Sequence, residues 1–319
     1  MASLVTVFGG SGFIGRYVVQ RLASQGWRVR VAVRDPEGAR FLEPRGDVGQ
    51  IVPVYADLTK DFSVQAAVHG ADLVINLVGI LAERGKRTFQ AIHADGAGRV
   101  AAAAKAAGVK ALVHVSALGA DANSPSAYAR SKAAGEEAVR AAYPAAVILR
   151  PSLVFGPEDS LFNRFATLTG ISPFLPAVGS AHFQPVYVGD VAAAVAACLA
   201  DPATAGRTYE LGGPGLFTFR ELMQLVLRET HRQRILLPLP WSVAALIGAV
   251  GDLLPIKPPL TSDQVELLRF DNVANVARPG LMALGVVPTA VEAIVPTYLH
   301  RYCRGGQFAD EIASAGVEA

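Results

Sequence analysis

The chain has 319 residues, with 29 Lys and Arg against 27 Asp and Glu, and 51% of its residues are hydrophobic. A formal net charge of +2 and the lack of a basic stripe exclude nucleic acid as an expected partner. Two distant cysteines, Cys198 and Cys303, exclude a disulfide scaffold and offer no metal-ligand spacing.

The length and a mean hydropathy of +0.34 suit one large α/β domain, or one such domain with a smaller lobe. The apolar run Leu4–Phe8 reads as a buried strand so close to Met1 that no signal or transit peptide is expected. The glycines of Gly9-Gly10-Ser11-Gly12-Phe13-Ile14-Gly15-Arg16 follow, and helical periodicity then runs through Leu22. Strand, glycine turn and helix in this order fit both Gly9-x-x-Gly12-x-x-Gly15 and Gly10-x-Gly12-x-x-Gly15. Such a turn aims backbone N–H groups and a helix N-terminus at a pyrophosphate.

Arg28–Arg34 alternates as a second strand and ends where a dinucleotide fold reads the adenosine ribose. Arg34 and Arg16 offer planar forks suited to a 2′-phosphate, which favours NADP(H), with NAD(H) left open. Asp35 opposes this unless its carboxylate points away. Ile51–Ala56 is a third strand. Asp57, followed by Leu58, is expected either to accept from an adenine amino group or to cap a helix beginning near Phe62. Ala71–Gly79 is a fourth strand, with Asn76, Leu77, Val78 and Gly79 at its carboxyl edge, where open α/β sheets bind ligands. Arg87–Ala107 reads as a long helix, Ala111–Ser116 as strand five, Ser126–Tyr143 as a helix and Ala145–Leu149 as strand six. This alternation predicts a Rossmann-type, doubly wound parallel sheet over residues 1–150. Later segments return to it, and residues 151–319 form mainly a smaller lobe for substrate or partner.

In that second half, Glu158–Thr169 is expected to be a helix whose Leu161, Phe162, Phe165 and Leu168 pack into a core. Asp190 is expected to cap a Val191–Leu199 helix. Thr208–Gly213 reads as a late strand and turn. Thr218 and Glu221 form a capping box for Phe219–Arg228. Ile235–Leu239 is a short strand. Trp241–Leu254 is expected to be a buried helix ended by Pro255, Pro258 and Pro259, with partner docking or membrane-surface contact open; Lys257 stands beyond it. Thr261 precedes a short Ser262–Phe270 helix, and the tail after Cys303 is expected to fray.

The chemistry-bearing set is Ser116, Tyr128 and Lys132. The spacing Tyr128-x-x-x-Lys132 puts both side chains on one helix face. A free tyrosine, with a pKa of about 10, becomes a usable base only beside positive charge. A serine at the strand-five edge is placed to hold a substrate oxygen.

With these residues the chain resembles the extended short-chain dehydrogenase/reductase superfamily, in its atypical branch. Val113–Ser116, Tyr128–Glu136, Arg150–Asp159 with Asn163–Phe165, and Pro185–Val191 are similar to the NADPH-binding accessory subunit of respiratory complex I and its bacterial relatives. The resemblance implies Tyr128 and Lys132 as cofactor contacts, joined by Pro151, Ser152 and Leu153 beside the nicotinamide. It also implies complex I subunits or a membrane surface as partners, which leaves open a peripheral place on the inner membrane for a chain expected, from its lack of a leader or spanning segment, to be cytoplasmic. The implied role is an accessory subunit, or an assembly or stability factor, with tightly held nucleotide. The alternative is an active NAD(P)-dependent reductase, dehydrogenase or epimerase on an unidentified hydrophobic, quinone-related or nucleotide-linked small molecule. His93 stands where such relatives carry an Asn.

Overall fold

The computed structural model describes residues 3–253, 261–303 and 306. The chain divides into two compact units: Met1–Pro151 with Val188–Leu211 and Ala274–Val287, and Ser152–Tyr187 with Gly212–Val273 and Pro288–Ala319.

The first unit is built on one sheet. Its leading part runs β1 (Leu4–Phe8), α1 (Phe13–Ser24), β2 (Arg28–Val33), β3 (Ile51–Tyr55), α2 (Asp61–Val68), β4 (Leu73–Asn76), α3 (Gly96–Ala106), β5 (Ala111–Val115), α4 (Ala127–Ala142) and β6 (Val147–Pro151). It is completed by α5 (Val188–Ala200) and β7 (Thr208–Leu211). All seven strands are parallel, in the order β7-β6-β5-β4-β1-β2-β3. This is the doubly wound Rossmann-type arrangement. Because both faces are covered at the sheet's centre, β1, β4 and β5 are buried along nearly their whole length, whereas β2 alternates. On one face Phe8, Val74 and Leu112 pack against Val64, Val100, Ala104 and Val139. Elsewhere in the unit, α1 and α5 pack on each other.

The winding reverses between β1 and β4. Val5 pairs with Val29 of β2 on one side and Leu73 of β4 on the other. Connections leaving the carboxyl ends of these two neighbours go opposite ways, so a crevice opens there. The glycine turn follows β1, and Leu77–Gly79 follows β4.

Several sequence expectations are corrected by packing. The segment from Arg87 does not start as a helix. Arg84 and Arg87 exchange reciprocal backbone bonds, each 3.0 Å, in a tight turn. Helical structure begins with a π-turn at Gln90–Asp95 that runs into α3. Strand four stops at Asn76, because Asn76 Oδ1 accepts from Val78 N at 3.1 Å and turns the chain. Strand six starts two residues later than the apolar run suggests and reaches Pro151. Asp190 is not an N-cap: α5 begins at Val188 and Asp190 is buried in its first turn.

In the second unit, Phe162 and Ala166 of the Leu161–Ile171 helix join Phe155, Phe183, Leu222 and Val226 in a core, with Leu161 and Phe165 packed against it. Asp159 ties this helix to the carboxyl-terminal part of the unit. It accepts from Phe162 N at 2.7 Å and from the Tyr298 hydroxyl at 2.6 Å. The Thr218–Glu221 capping box opens the Phe219–Glu229 helix, and Ile235–Leu239 pairs in parallel with Phe174–Val178. A second capping box, Thr261 with Gln264, opens a helix that spans Ser262–Leu267 only.

The Trp241–Leu253 helix departs from its expected burial. Ala244, Gly248 and Gly251 face inward, while Val243, Leu246 (65% exposed), Ile247 and Val250 (51% exposed) face outward. Small residues at one-turn spacing let the backbone dock closely, Gly248 against Ser262, and the bulky residues lie on the other side. Leu254, Pro255, Lys257, Pro258 and Pro259 lie outside the described residues, as does most of the tail after Cys303. Among the described residues, no helix is long and apolar enough to cross a membrane.

Candidate nucleotide site

The glycine turn forms a compact cradle. Gly12 N donates to Gly9 O at 3.0 Å, and Gly12 is the N-cap of α1, whose first turn carries no acid. A Cβ at Gly15 would overlap the carbonyl oxygen of Gly9, so only glycine lets α1 sit this close to the turn. Gly9, Gly10, Ser11, Gly12, Phe13, Ile14 and Gly15 therefore surround a helix N-terminus with free donors, which suits an anion. Arg16, in the first turn, lies over the Phe41 ring with its guanidinium carbon 5.2 Å from the centroid.

At the end of β2, Arg34 is exposed. Asp35 turns away from it into the next segment, its Oδ1 accepting from Gly38 N at 3.0 Å. Asp57 does not cap α2. Its Oδ1 accepts from Thr59 N at 3.0 Å and Thr59 Oγ1 at 2.8 Å. Burial disfavours the Asp57 carboxylate, but the Thr59 bonds outweigh it and hold the pKa below the usual range. Leu58 is buried against Gly96 of α3.

The β4 edge is fixed by buried polar side chains. Asn76 Nδ2 lies 3.2 Å from His114 Nδ1, while its Oδ1 takes the Val78 amide that shapes Leu77–Gly79. Ile80 N donates to His93 Nε2 at 2.9 Å, so Nδ1 of the neutral ring carries the hydrogen and faces Ser131 Oγ at 2.8 Å. Ser131 in turn donates to the Tyr128 carbonyl at 2.7 Å. Burial, with the Lys132 charge second, drives the His93 pKa down to about 3. The His93 ring stacks on Phe89 and meets the Tyr128 ring edge-on, both at 5.4 Å between centroids. A histidine at this position thus holds three elements together: the β4 edge, the π-turn and α4.

Lys132 is buried one turn beyond Tyr128. Its Nζ donates to Val115 O at 3.0 Å, one residue before Ser116. Burial lowers its pKa to about 8, with Glu136 opposing. Ser116 Oγ is buried without a hydrogen-bond partner. An orphan hydroxyl at a sheet edge costs stability unless a ligand completes it. This orphan and the acid-free glycine cradle fit a dinucleotide with a substrate oxygen beside it.

Pro151 ends β6, and its carbonyl accepts from Leu118 N at 2.9 Å. Ser152 and Leu153 begin the second unit, where both bind Asn272: Ser152 Oγ lies 2.6 Å and Leu153 N 3.0 Å from its Oδ1. Ser152 thereby has its hydroxyl engaged within its own unit. Sequence reasoning missed Asn76 as the anchor of its loop, and Glu83, whose Oε1 accepts from Phe89 N at 2.6 Å. It also missed Arg87, hidden in a segment that reads as helix. Among the described residues there is no cluster of three or more His, Cys, Asp or Glu able to hold a metal.

A parallel sheet reversing at a glycine turn, with an aromatic hydroxyl and a buried lysine on the helix after β5, defines a nicotinamide-nucleotide class of protein. The chain belongs to the NAD dependent epimerase/dehydratase family, whose sequence model matches residues 5–212. It is 37% identical to the mitochondrial NADH dehydrogenase (ubiquinone) 1 alpha subcomplex subunit 9 of Arabidopsis thaliana, over 95% of this chain and 79% of that protein. It is also 37% identical to a ceramide reductase of Caulobacter vibrioides, over 62% of each chain. In fold it is similar to the NADPH-dependent quinone oxidoreductase QOR2 of Escherichia coli, with a TM-score of 0.69, 23% identity, and 92% and 98% of the two chains covered.

Proposed function

We propose that this protein is an accessory subunit of respiratory complex I that holds NADP(H) tightly, peripheral at the inner membrane. The observation that carries the reading is the 37% identity across 95% of the chain to a named subunit of that complex. The outward apolar face of the Trp241–Leu253 helix supports docking on a partner.

In this reading the glycine cradle from Gly9 to Gly15 holds the pyrophosphate. Asp57 and Leu58 flank the adenine, and Leu77, Val78 and Gly79 line the crevice. Pro151, Ser152 and Leu153 border the nicotinamide, Ser152 through its backbone because Asn272 has its hydroxyl. Arg16 and Arg34 grip the 2′-phosphate. The Asp35–Gly38 bond supports NADP(H) over NAD(H), because it removes the carboxylate that otherwise repels that phosphate.

An active reductase is the second reading, favoured by the retention of Ser116, Tyr128 and Lys132 and by the ceramide reductase relative. The nicotinamide, when bound, supplies hydride transfer. Ser116 Oγ would hold the substrate oxygen, Tyr128 would move its proton, and the Lys132 ammonium would favour the tyrosinate.

Purification from native membranes tests the choice. Co-migration with complex I carrying about one NADPH per chain is expected. A protein that stays apart from the complex and oxidises NADPH with carbonyl or quinone substrates, losing this as Tyr128→Phe, overturns the accessory reading. For the nucleotide, the Arg16→Ala/Arg34→Ala pair is expected to weaken NADPH far more than NADH. Equal losses would refute the 2′-phosphate assignment.

A further inference from the structure

The loop after β4 carries three cations in four residues, Arg84-Gly-Lys-Arg87. It is fixed at several points: Ile80 N on His93, Glu83 on Phe89 N, and the reciprocal bonds between Arg84 and Arg87. A loop this well tied presents its side chains in a set direction before any ligand arrives.

Arg87 is the cation that this geometry turns inward. Its Nε is buried and has no hydrogen-bond partner. Burial is the main cause that lowers its pKa, and the next is the positive charge of Arg34, with Asp57 acting the other way. Arg87 therefore lies within the electrostatic reach of both the Arg34 guanidinium and the Asp57 carboxylate. Asp57 already has Oδ1 on Thr59, and among the described residues no acid forms an ion pair with Arg87 or Arg34. Two like charges within electrostatic reach of each other, one with a buried unused donor, are disfavoured until an anion binds beside them.

We infer that Arg87 is a third guanidinium for the adenosine 2′-phosphate of NADP(H), opposing Arg34 across that phosphate. This rests on the NADP(H) reading above and adds a ligand from a different loop. The position argues for the 2′-phosphate rather than the pyrophosphate. Arg34 follows β2 and Asp57 follows β3, both on the ribose–adenine side, whereas the pyrophosphate belongs to the glycine turn after β1. Arginine suits the task because its planar fork can give two parallel hydrogen bonds to phosphate oxygens.

Titration of the full-length protein, freed of nucleotide, with 2′,5′-ADP, 5′-ADP, NADPH and NADH tests this. Arg87→Gln is expected to weaken 2′,5′-ADP and NADPH at least about tenfold while changing 5′-ADP and NADH less than about threefold. Arg87→Lys, which keeps the charge without the fork, is expected to lose less, and it serves if the glutamine variant does not fold. Arg84→Gln in the same turn should leave all four ligands unchanged. Wild-type affinity for 2′,5′-ADP in Arg87→Gln, with Arg34→Gln impaired, would overturn the inference and leave the NADP(H) reading standing. Equal losses for NADH and NADPH would also overturn it. If the wild type holds 2′,5′-ADP no more tightly than 5′-ADP, the NADP(H) reading itself fails and the role of Arg87 with it.

Discussion

His93 accepts the amide hydrogen of Ile80 on Nε2, and this one bond fixes the ring as a neutral donor toward Ser131. His114 is buried as well, also well below its ordinary pKa, through burial first and then the Lys132 charge. Below pH 6.5 the unfolded chain binds protons at both positions and the folded chain does not. Stability is therefore present above pH 6.5 and falls as pH drops, for His93 down to about pH 3. Each histidine adds a slope of up to about 1.4 kcal/mol per pH unit. Denaturant midpoints between pH 7 and 5 should fall in the wild type and fall less steeply in His93→Asn. Identical slopes would show that the imidazole is not held neutral.

Lys132 has the opposite cost. Its pKa of about 8 lies below the unfolded value near 10.5, so the folded state resists its charge at neutral pH. Stability gains as pH rises from about 8 to 10.5, and below pH 8 the buried ammonium is a standing penalty. Lys132→Met should raise the melting temperature at pH 7 by a few degrees, and the gain should shrink toward pH 10. A lowered melting temperature at pH 7 would mean that the Val115 carbonyl bond outweighs desolvation.

Arg150 joins two buried carboxylates. It grips Glu136 with two bonds of 2.8 Å and reaches Glu210 at 3.3 Å. Arg278 also reaches Glu210 at 3.3 Å. Removing one partner of a buried pair typically costs about 3–5 kcal/mol, because the other charge is left without compensation. Arg150→Met is expected to lose about that much in urea unfolding, and adding Glu136→Gln should recover part of it. No recovery would show that the arginine acts by packing alone.

Gly135 is the crossing point of α4 and the π-turn. A Cβ there would overlap the His93 carbonyl oxygen. Helix propensity alone favours Gly135→Ala by about 1 kcal/mol. Overpacking instead predicts a loss of about 1–3 kcal/mol. The sign of the change in unfolding free energy decides between them.

The parts legible in the sequence were those set by neighbours along the chain. The glycine turn, the β1 limits, the start of α1, the Tyr128–Lys132 spacing and the Thr218 capping box follow from spacing alone. What was not legible depends on distant partners. Arg87 looked like a helix start until Glu83 took the Phe89 amide. Asp35 read as a repulsive carboxylate until Gly38 claimed it. The Trp241–Leu253 helix has enough apolar residues to look buried, yet its inward stripe is the small residues. Glu136 and Glu210 lie 74 positions apart and meet only through Arg150.

The first unit is drawn from three separate stretches of chain, and β7 joins β6 at the edge of the sheet only after residue 208. During synthesis, β6 is therefore made some 60 residues before the strand that covers it. In that interval it presents an open row of backbone donors and acceptors, the kind of edge that invites pairing between nascent chains. The Arg278–Glu210 ion pair arrives later still. The sheet reaches its final edge only once about two thirds of the polypeptide has been made, so premature termination before Leu211 would release a chain that lacks the strand needed to close it.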